Sequence, residues 1–193
     1  MIIYLVGVSC VGKSTLGKAL AKAYGYKFID FDYEVMDTYC LNIDEIKREF
    51  NPPLSDAEYR SFVSPILDRL LTYENDNLVV AMPPSGLFPE YTYILEKHKD
   101  ILTIELVDYI KSILSRLIYF DEERKSWPIR ITEHNRLFYE NELKEDFKYY
   151  NQANKFAMLK VHLSGKGIED ALAILDKSIK KWLVAHKKEF VNV

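Results

Sequence analysis

Eight consecutive residues near the start of the chain carry its strongest chemical signal. Gly7-Val8-Ser9-Cys10-Val11-Gly12-Lys13-Ser14 matches G-x-x-x-x-G-K-[ST]. Glycines at both ends of such a loop let the backbone curl, so that successive N–H groups point inward at the oxygens of a polyphosphate. A helix starting directly after the loop adds its positive N-terminal end. In that setting Lys13 reaches the β- and γ-phosphates, and the Ser14 hydroxyl ligates Mg²⁺. The expected nucleotide contacts are Gly7, Ser9, Cys10, Val11, Gly12, Lys13, Ser14 and Thr15, with ATP and Mg²⁺ as cofactors. The bland alternative is an ordinary turn between a strand and a helix.

A second cluster follows in Phe28-Ile29-Asp30-Phe31-Asp32. Read as the end of a strand over Lys27–Phe31, the alternation puts Asp30 and Asp32 on one side and Phe31 on the other. Two carboxylates facing a phosphate loop would divide the work. Asp30 would hold Mg²⁺ through water, and Asp32 would orient or deprotonate a substrate hydroxyl. The competing reading makes Asp32 the N-cap of a helix over the residues that follow.

The elements that must position these groups are legible from periodicity. Ile2–Val8 is a short apolar run suited to a buried strand. Lys13–Tyr24 has Leu16, Ala19, Leu20 and Ala23 on one helical face, and Gly25 is placed to end it. Ser55-Asp56-Ala57-Glu58 fits a capping box opening a helix to about Tyr73. Leu78–Met82, Ile101–Val107 and Phe156–Leu163 read as further strands. Tyr109–Phe120, Asn135–Asn151 and Ile168–Lys187 read as helices. Strands alternating with helices imply a parallel sheet covered on both faces, with ligands at the carboxyl ends of the strands.

Composition narrows the partners. The chain has 193 residues and a net charge of −3, so it reads as one domain with no overall basic field for nucleic acid. Two cysteines, Cys10 and Cys40, are too few for a disulfide framework and read as free thiols. The apolar opening is too short for a membrane span and lacks a signal-peptide layout. The expectation is a cytoplasmic protein, with no membrane partner and nothing that demands more than a monomer. The histidines show no metal-ligand spacing.

The run from the phosphate loop through Ser14-Thr15-Leu16-Gly17-Lys18, the Gly25-Tyr26 step and Phe28-Ile29-Asp30-Phe31-Asp32 resembles the shikimate kinase family. Asn42-Ile43-Asp44-Glu45-Ile46 resembles that family's next helix, and Glu58-Tyr59-Arg60 its substrate-binding Phe-Arg step. The resemblance implies a three-layer P-loop kinase fold over residues 1–193. Its parallel sheet has five strands in the order 2-3-1-4-5, with a substrate-binding helical region near 33–62 and a helical lid near 121–136. Lys13 and Ser14 would act on phosphate and Mg²⁺, Asp30 on the metal, and Asp32 on the acceptor. Arg60 would pair with an anionic group of the substrate through its planar fork; a solvated helix face is its alternative. Arg116 would pack on adenine, or be a plain surface arginine.

Three departures stand out. The family's glycine triplet after the third strand is Pro83-Pro84-Ser85 here, and proline has no N–H to offer a substrate. Ser85 and Gly86 are left as possible donors. The lid arginine before a proline is replaced by Trp127; of Arg124, Lys125 and Arg130, the last is preferred for the transferring phosphoryl group. The family's second substrate arginine falls on Asp146, with Arg136 a helical turn or more away. The reading is an ATP-dependent kinase for a small hydroxylated, anionic acceptor. Gluconate-kinase-like or nucleotide acceptors, and a nucleotide-binding sensor, stand as alternatives.

Overall fold

The computed structural model describes residues 1–73, 77–120 and 126–186. Strands β1 (Ile2–Val6), β2 (Lys27–Asp30), β3 (Leu78–Ala81), β4 (Ile101–Val107) and β7 (Leu159–His162) form one sheet in the order β2-β3-β1-β4-β7. All of its pairings are parallel. Strands β5 (Ile118–Phe120) and β6 (Ser126–Pro128) form a separate antiparallel ribbon, so β7 is the fifth sheet strand expected from the sequence.

The central strand shows why the fold has three layers. Every residue of β1 is buried. Ile2, Tyr4 and Val6 pack on one face with α2 (Phe31–Tyr39), α3 (Ile43–Arg48), α4 (Asp56–Tyr73) and α5 (Pro89–Leu95). Ile3 and Leu5 pack on the other face with α1 (Lys13–Tyr24), α6 (Ile110–Leu114), α7 (Glu133–Asn154) and α8 (Ile168–Ala185). A strand with both faces covered reads as a continuous apolar run, as this one does. Tyr24 Oη donates to Asp176 Oδ1 at 2.8 Å, tying α1 to α8.

Local chemistry sets the helix ends. Gly25 ends α1 in the left-handed conformation (φ 67°), and its N–H bonds to the Ala21 carbonyl. At α4 the Ser55 N–H donates to Glu58 Oε2 at 2.8 Å, realising the expected cap. Pro65 sits inside α4 and cannot donate to the Ser61 carbonyl. The Ser64 hydroxyl donates there instead at 3.1 Å, so the helix continues through the proline.

Several elements differ from the sequence reading, among them the stretch expected as a helical lid, where Ser126–Pro128 is the strand β6. The helix expected over Tyr109–Phe120 stops at Leu114, and Ile118 starts the β5 strand. Helix α5 was not anticipated: Pro89 occupies its first turn, where the missing N–H costs nothing. Arg124, Lys125, Lys187 and the 121–125 part of the expected lid lie outside the described residues.

Candidate active site

The carboxyl ends of β1, β2 and β3 stand level. Asp30 is in register with Ala81, and Ala81 with Leu5. That register brings Asp30 beside the loop that follows Val6. The loop takes up glycine-only backbone angles where the motif requires glycine. Gly7 has φ 138°, and a Cβ there would lie 2.4 Å from the Leu106 carbonyl oxygen of β4. Gly12 has φ 114°. Cys10 adopts φ 58°, left-handed without being glycine, and Val11 is buried beneath the loop. Ser9, Ser14 and Thr15 stand at its mouth, all three exposed.

Lys13 bends back across this mouth. Its Nζ donates to the carbonyls of Gly7 at 2.8 Å and Val8 at 3.0 Å. Burial pulls its pKa down to about 8, against the opposing pull of Asp32, Cys10 and Asp30. Ser14 Oγ donates to Asp30 Oδ2 at 2.5 Å. A hydroxyl and a carboxylate in contact form a hard oxygen pair that suits Mg²⁺, which takes few protein ligands beside phosphate and water. No cluster of three or more His, Cys, Asp or Glu that could hold a metal occurs among the described residues.

Asp32 reaches the site by a different route from the expected one. β2 ends at Asp30 and Phe31 already begins α2, so strand alternation does not align the two carboxylates. Asp30 occupies the N-cap position without a side-chain cap bond, and Asp32 lies in the first turn. A helix start turns the chain tightly enough that the two carboxylates still sense one another. Burial first, then Asp30, pushes the Asp32 pKa up to about 6, while Lys13 pulls it down.

Asp32 lines a cleft of about 230 Å³ with Ile43, Lys47, Asp56, Tyr59, Arg60, Pro83, Pro84, Ser85, Tyr91, Tyr149 and Tyr150. Arg60 is not on a solvated face: it is buried in α4. It donates from Nε and Nη2 to the two carboxylate oxygens of Glu90, each at 3.1 Å. Its guanidinium carbon lies 4.7 Å from the centre of the Phe88 ring. Lys47 supplies a second cation, held by Asp56 at 2.5 Å. Lys47 belongs to no motif in the sequence. Its ion pair with the first residue of α4 is what turns it toward the cleft.

The remaining expected residues divide. Ser85 lines the cleft. Gly86 does not: its N–H donates to the Pro83 carbonyl at 2.9 Å, and its own carbonyl accepts from Tyr4 Oη at 2.7 Å. A Cβ there would sit 2.6 Å from Met82 Cβ, so the glycine serves the turn rather than the substrate. Arg116 donates from Nη2 to Asp108 Oδ2 at 2.7 Å, just beyond the end of β4. Burial alone would raise the Asp108 carboxyl. Arg116 and the N–H groups of Gly165 and Tyr109 outweigh it and hold the pKa low. Arg116 is thus held by Asp108 just past the end of β4, the strand whose Leu106 carbonyl abuts Gly7. Arg130 is exposed between β6 and α7 and does not line the cleft. A larger groove of about 1210 Å³ lies at the opposite ends of the strands, beside Asp100, Ile101 and Met158.

A parallel sheet with a Lys-bearing glycine loop at its central strand and a carboxylate-lined cleft alongside defines the class: a P-loop small-molecule kinase fold. The family model for shikimate kinase matches residues 9–177. The chain belongs to the shikimate kinase family. It is 32% identical over 146 residues to a shikimate kinase of Alkaliphilus oremlandii, covering 72% of this chain and 83% of that one. It is 37% identical over 82 residues to a shikimate kinase of Chloroherpeton thalassium, a match spanning 42% of this chain and 40% of that protein. The crystal structure of the shikimate kinase from Aquifex aeolicus superposes with a TM-score of 0.66 at 22% identity, covering 96% of this chain and 99% of that one. No helix among the described residues is long and apolar enough to cross a membrane.

Proposed function

We propose that the protein transfers the γ-phosphoryl group of ATP to a hydroxyl of a compact anionic acceptor, shikimate or a close relative. One observation carries this reading. Asp32 shares a small cleft with Arg60 while coupling electrostatically to Lys13 of the phosphate loop. The cleft is smaller than the roughly 300–1,000 Å³ typical of pockets for drug-sized ligands, which favours a small metabolite over a nucleotide as acceptor.

The residues divide the work. The inward-facing amides of Gly7–Ser14 bind the phosphate chain, and the Arg116 plane offers a face to the base. Ser14 and Asp30 would hold Mg²⁺, which when bound neutralises phosphate charge. Lys13 exchanges its two carbonyl partners for phosphate oxygens. Arg60 meets the acceptor's carboxylate with the guanidinium edge that Glu90 does not use. Asp32, ionised near neutral pH, orients the acceptor hydroxyl and takes its proton as the new O–P bond forms. Ser85 borders the same cleft as a hydrogen-bonding group. Arg130 receives no step, because it stands outside the cleft.

The test is ATP turnover against a panel of hydroxylated carboxylic acids, sugar acids and nucleotides. Turnover with shikimate or a near analogue, lost by about a thousandfold in Asp32→Asn, supports the proposal. Turnover with nucleotides alone, or with no acceptor, overturns it.

A further inference from the structure

Tyr59 carries a polar atom that nothing among the described residues uses. The residue is 8% exposed and stands on α4 directly before Arg60. Its hydroxyl is buried and has no hydrogen-bond partner among the described residues. Leaving a buried hydroxyl unpaired costs its full desolvation, so a fold gains nothing by keeping it. A phenylalanine would fill the same space without that cost. An unpaired buried group of this kind calls for a partner that arrives from elsewhere.

The surroundings show where that partner comes from. Tyr59 lines the same cleft as Asp32, Arg60 and Tyr91. Burial, then the Asp32 carboxylate, then Tyr39 raise the Tyr59 hydroxyl pKa, keeping it a neutral donor. The Tyr91 hydroxyl responds in turn to Tyr59 and Asp32. The polar end of Tyr59 is therefore within electrostatic reach of the carboxylate that handles the acceptor hydroxyl. On the other side, the Lys47 ammonium lies 5.5 Å from the centre of the Tyr59 ring. Lys47 bonds to Asp56 and is not a partner of the Tyr59 hydroxyl.

We infer that Tyr59 is a specificity-determining residue of the acceptor cleft, its hydroxyl hydrogen-bonding a second hydroxyl of the acceptor, one that is not phosphorylated. The inference rests on the reading of this cleft as the acceptor site. Within the proposed acceptor class, it makes Tyr59 the group that discriminates against acids with a single hydroxyl. A site with a buried polar group rejects an analogue that lacks the matching one, because the site's own group is then left dry and unpaired.

The experiment compares wild type with Tyr59→Phe on two acids differing by one hydroxyl, measuring kcat, KM, calorimetric acceptor affinity and Tm. Wild type should prefer the polyhydroxylated acid by more than about tenfold in kcat/KM, and Tyr59→Phe should erase that preference. The ATP KM should not move. The Tm of Tyr59→Phe should be unchanged or higher, since an unpaired hydroxyl has been removed; a fall in Tm would reveal a structural partner and overturn the inference. An active Tyr59→Phe enzyme with wild-type selectivity overturns it while leaving the kinase reading intact. Acceptor binding without turnover, weakened in Tyr59→Phe, removes the kinase reading and keeps the inference. Absence of both binding and turnover with every acid removes both.

Discussion

Arg60 and Glu90 face each other in two hydrogen bonds of 3.1 Å, joining α4 to α5 beside the cleft that Asp32 lines. The pair fixes the guanidinium plane before any ligand arrives. A fork held along one edge presents its other edge at a set angle. Arg60→Lys keeps the charge and loses that geometry. Its acceptor KM should rise by about tenfold or more while the ATP KM stays level. Arg60→Ala also leaves Glu90 without its cation, and should lower stability by about 2 kcal/mol in a denaturant titration.

The pH profile should be bell-shaped. In the proposed reaction Asp32 works ionised, so kcat/KM should rise as pH passes upward through about 6. Lys13 works protonated in that same proposal, so kcat/KM should fall as pH passes upward through about 8. Asp32→Asn should remove the acidic limb from whatever activity remains. The stability signs differ from the usual surface case. Asp32 has a raised folded pKa, so its ionisation weakens the fold as pH climbs from 3.8 to about 6. Lys13 has a lowered one, so its deprotonation regains stability between about 8 and 10.5.

Lys13→Met separates binding from folding. The ammonium is held by two loop carbonyls and penalised by burial. Removing it should weaken ATP affinity by about a hundredfold in calorimetry. The nucleotide-free protein should melt no lower than wild type, because the replaced charge was not at ease where it sat.

Gly7→Ala should act in the opposite way, through the fold. Its φ of 138° and the Leu106 carbonyl 2.4 Å from a new Cβ leave no room for adjustment on the β4 side. A loss of about 3 kcal/mol in chemical unfolding is expected. ATP binding should fail in whatever fraction remains folded.

How much of this was readable in the chain depended on whether the partners were near in sequence. The phosphate loop, the Ser55 cap and the Gly25 stop are local devices, and each was legible. Asp30 and Asp32 were legible as a pair, yet for the wrong local reason: the strand ended one residue sooner than its pattern implied. The Arg60–Glu90 contact spans 30 positions. No spacing rule reaches that far, so Arg60 could equally be read as solvated. Helix α5 was hidden because it is only 7 residues long and follows closely on Pro83-Pro84. Lys47, Tyr59 and Tyr149 come from three different helices, and their convergence exists only in the packed molecule.

The bond from Tyr4 Oη to the Gly86 carbonyl has one more implication. Tyr4 stands on the strand that runs straight into Gly7, and Gly86 closes the Pro83-Pro84-Ser85 wall. The phosphate loop and the Pro83-Pro84-Ser85 turn are thus tied to one strand, β1. In the proposed reaction that tie sets the separation of donor and acceptor, and adjustment to substrate size falls to the opposite bank, where α3, α4 and the α7 tyrosines stand.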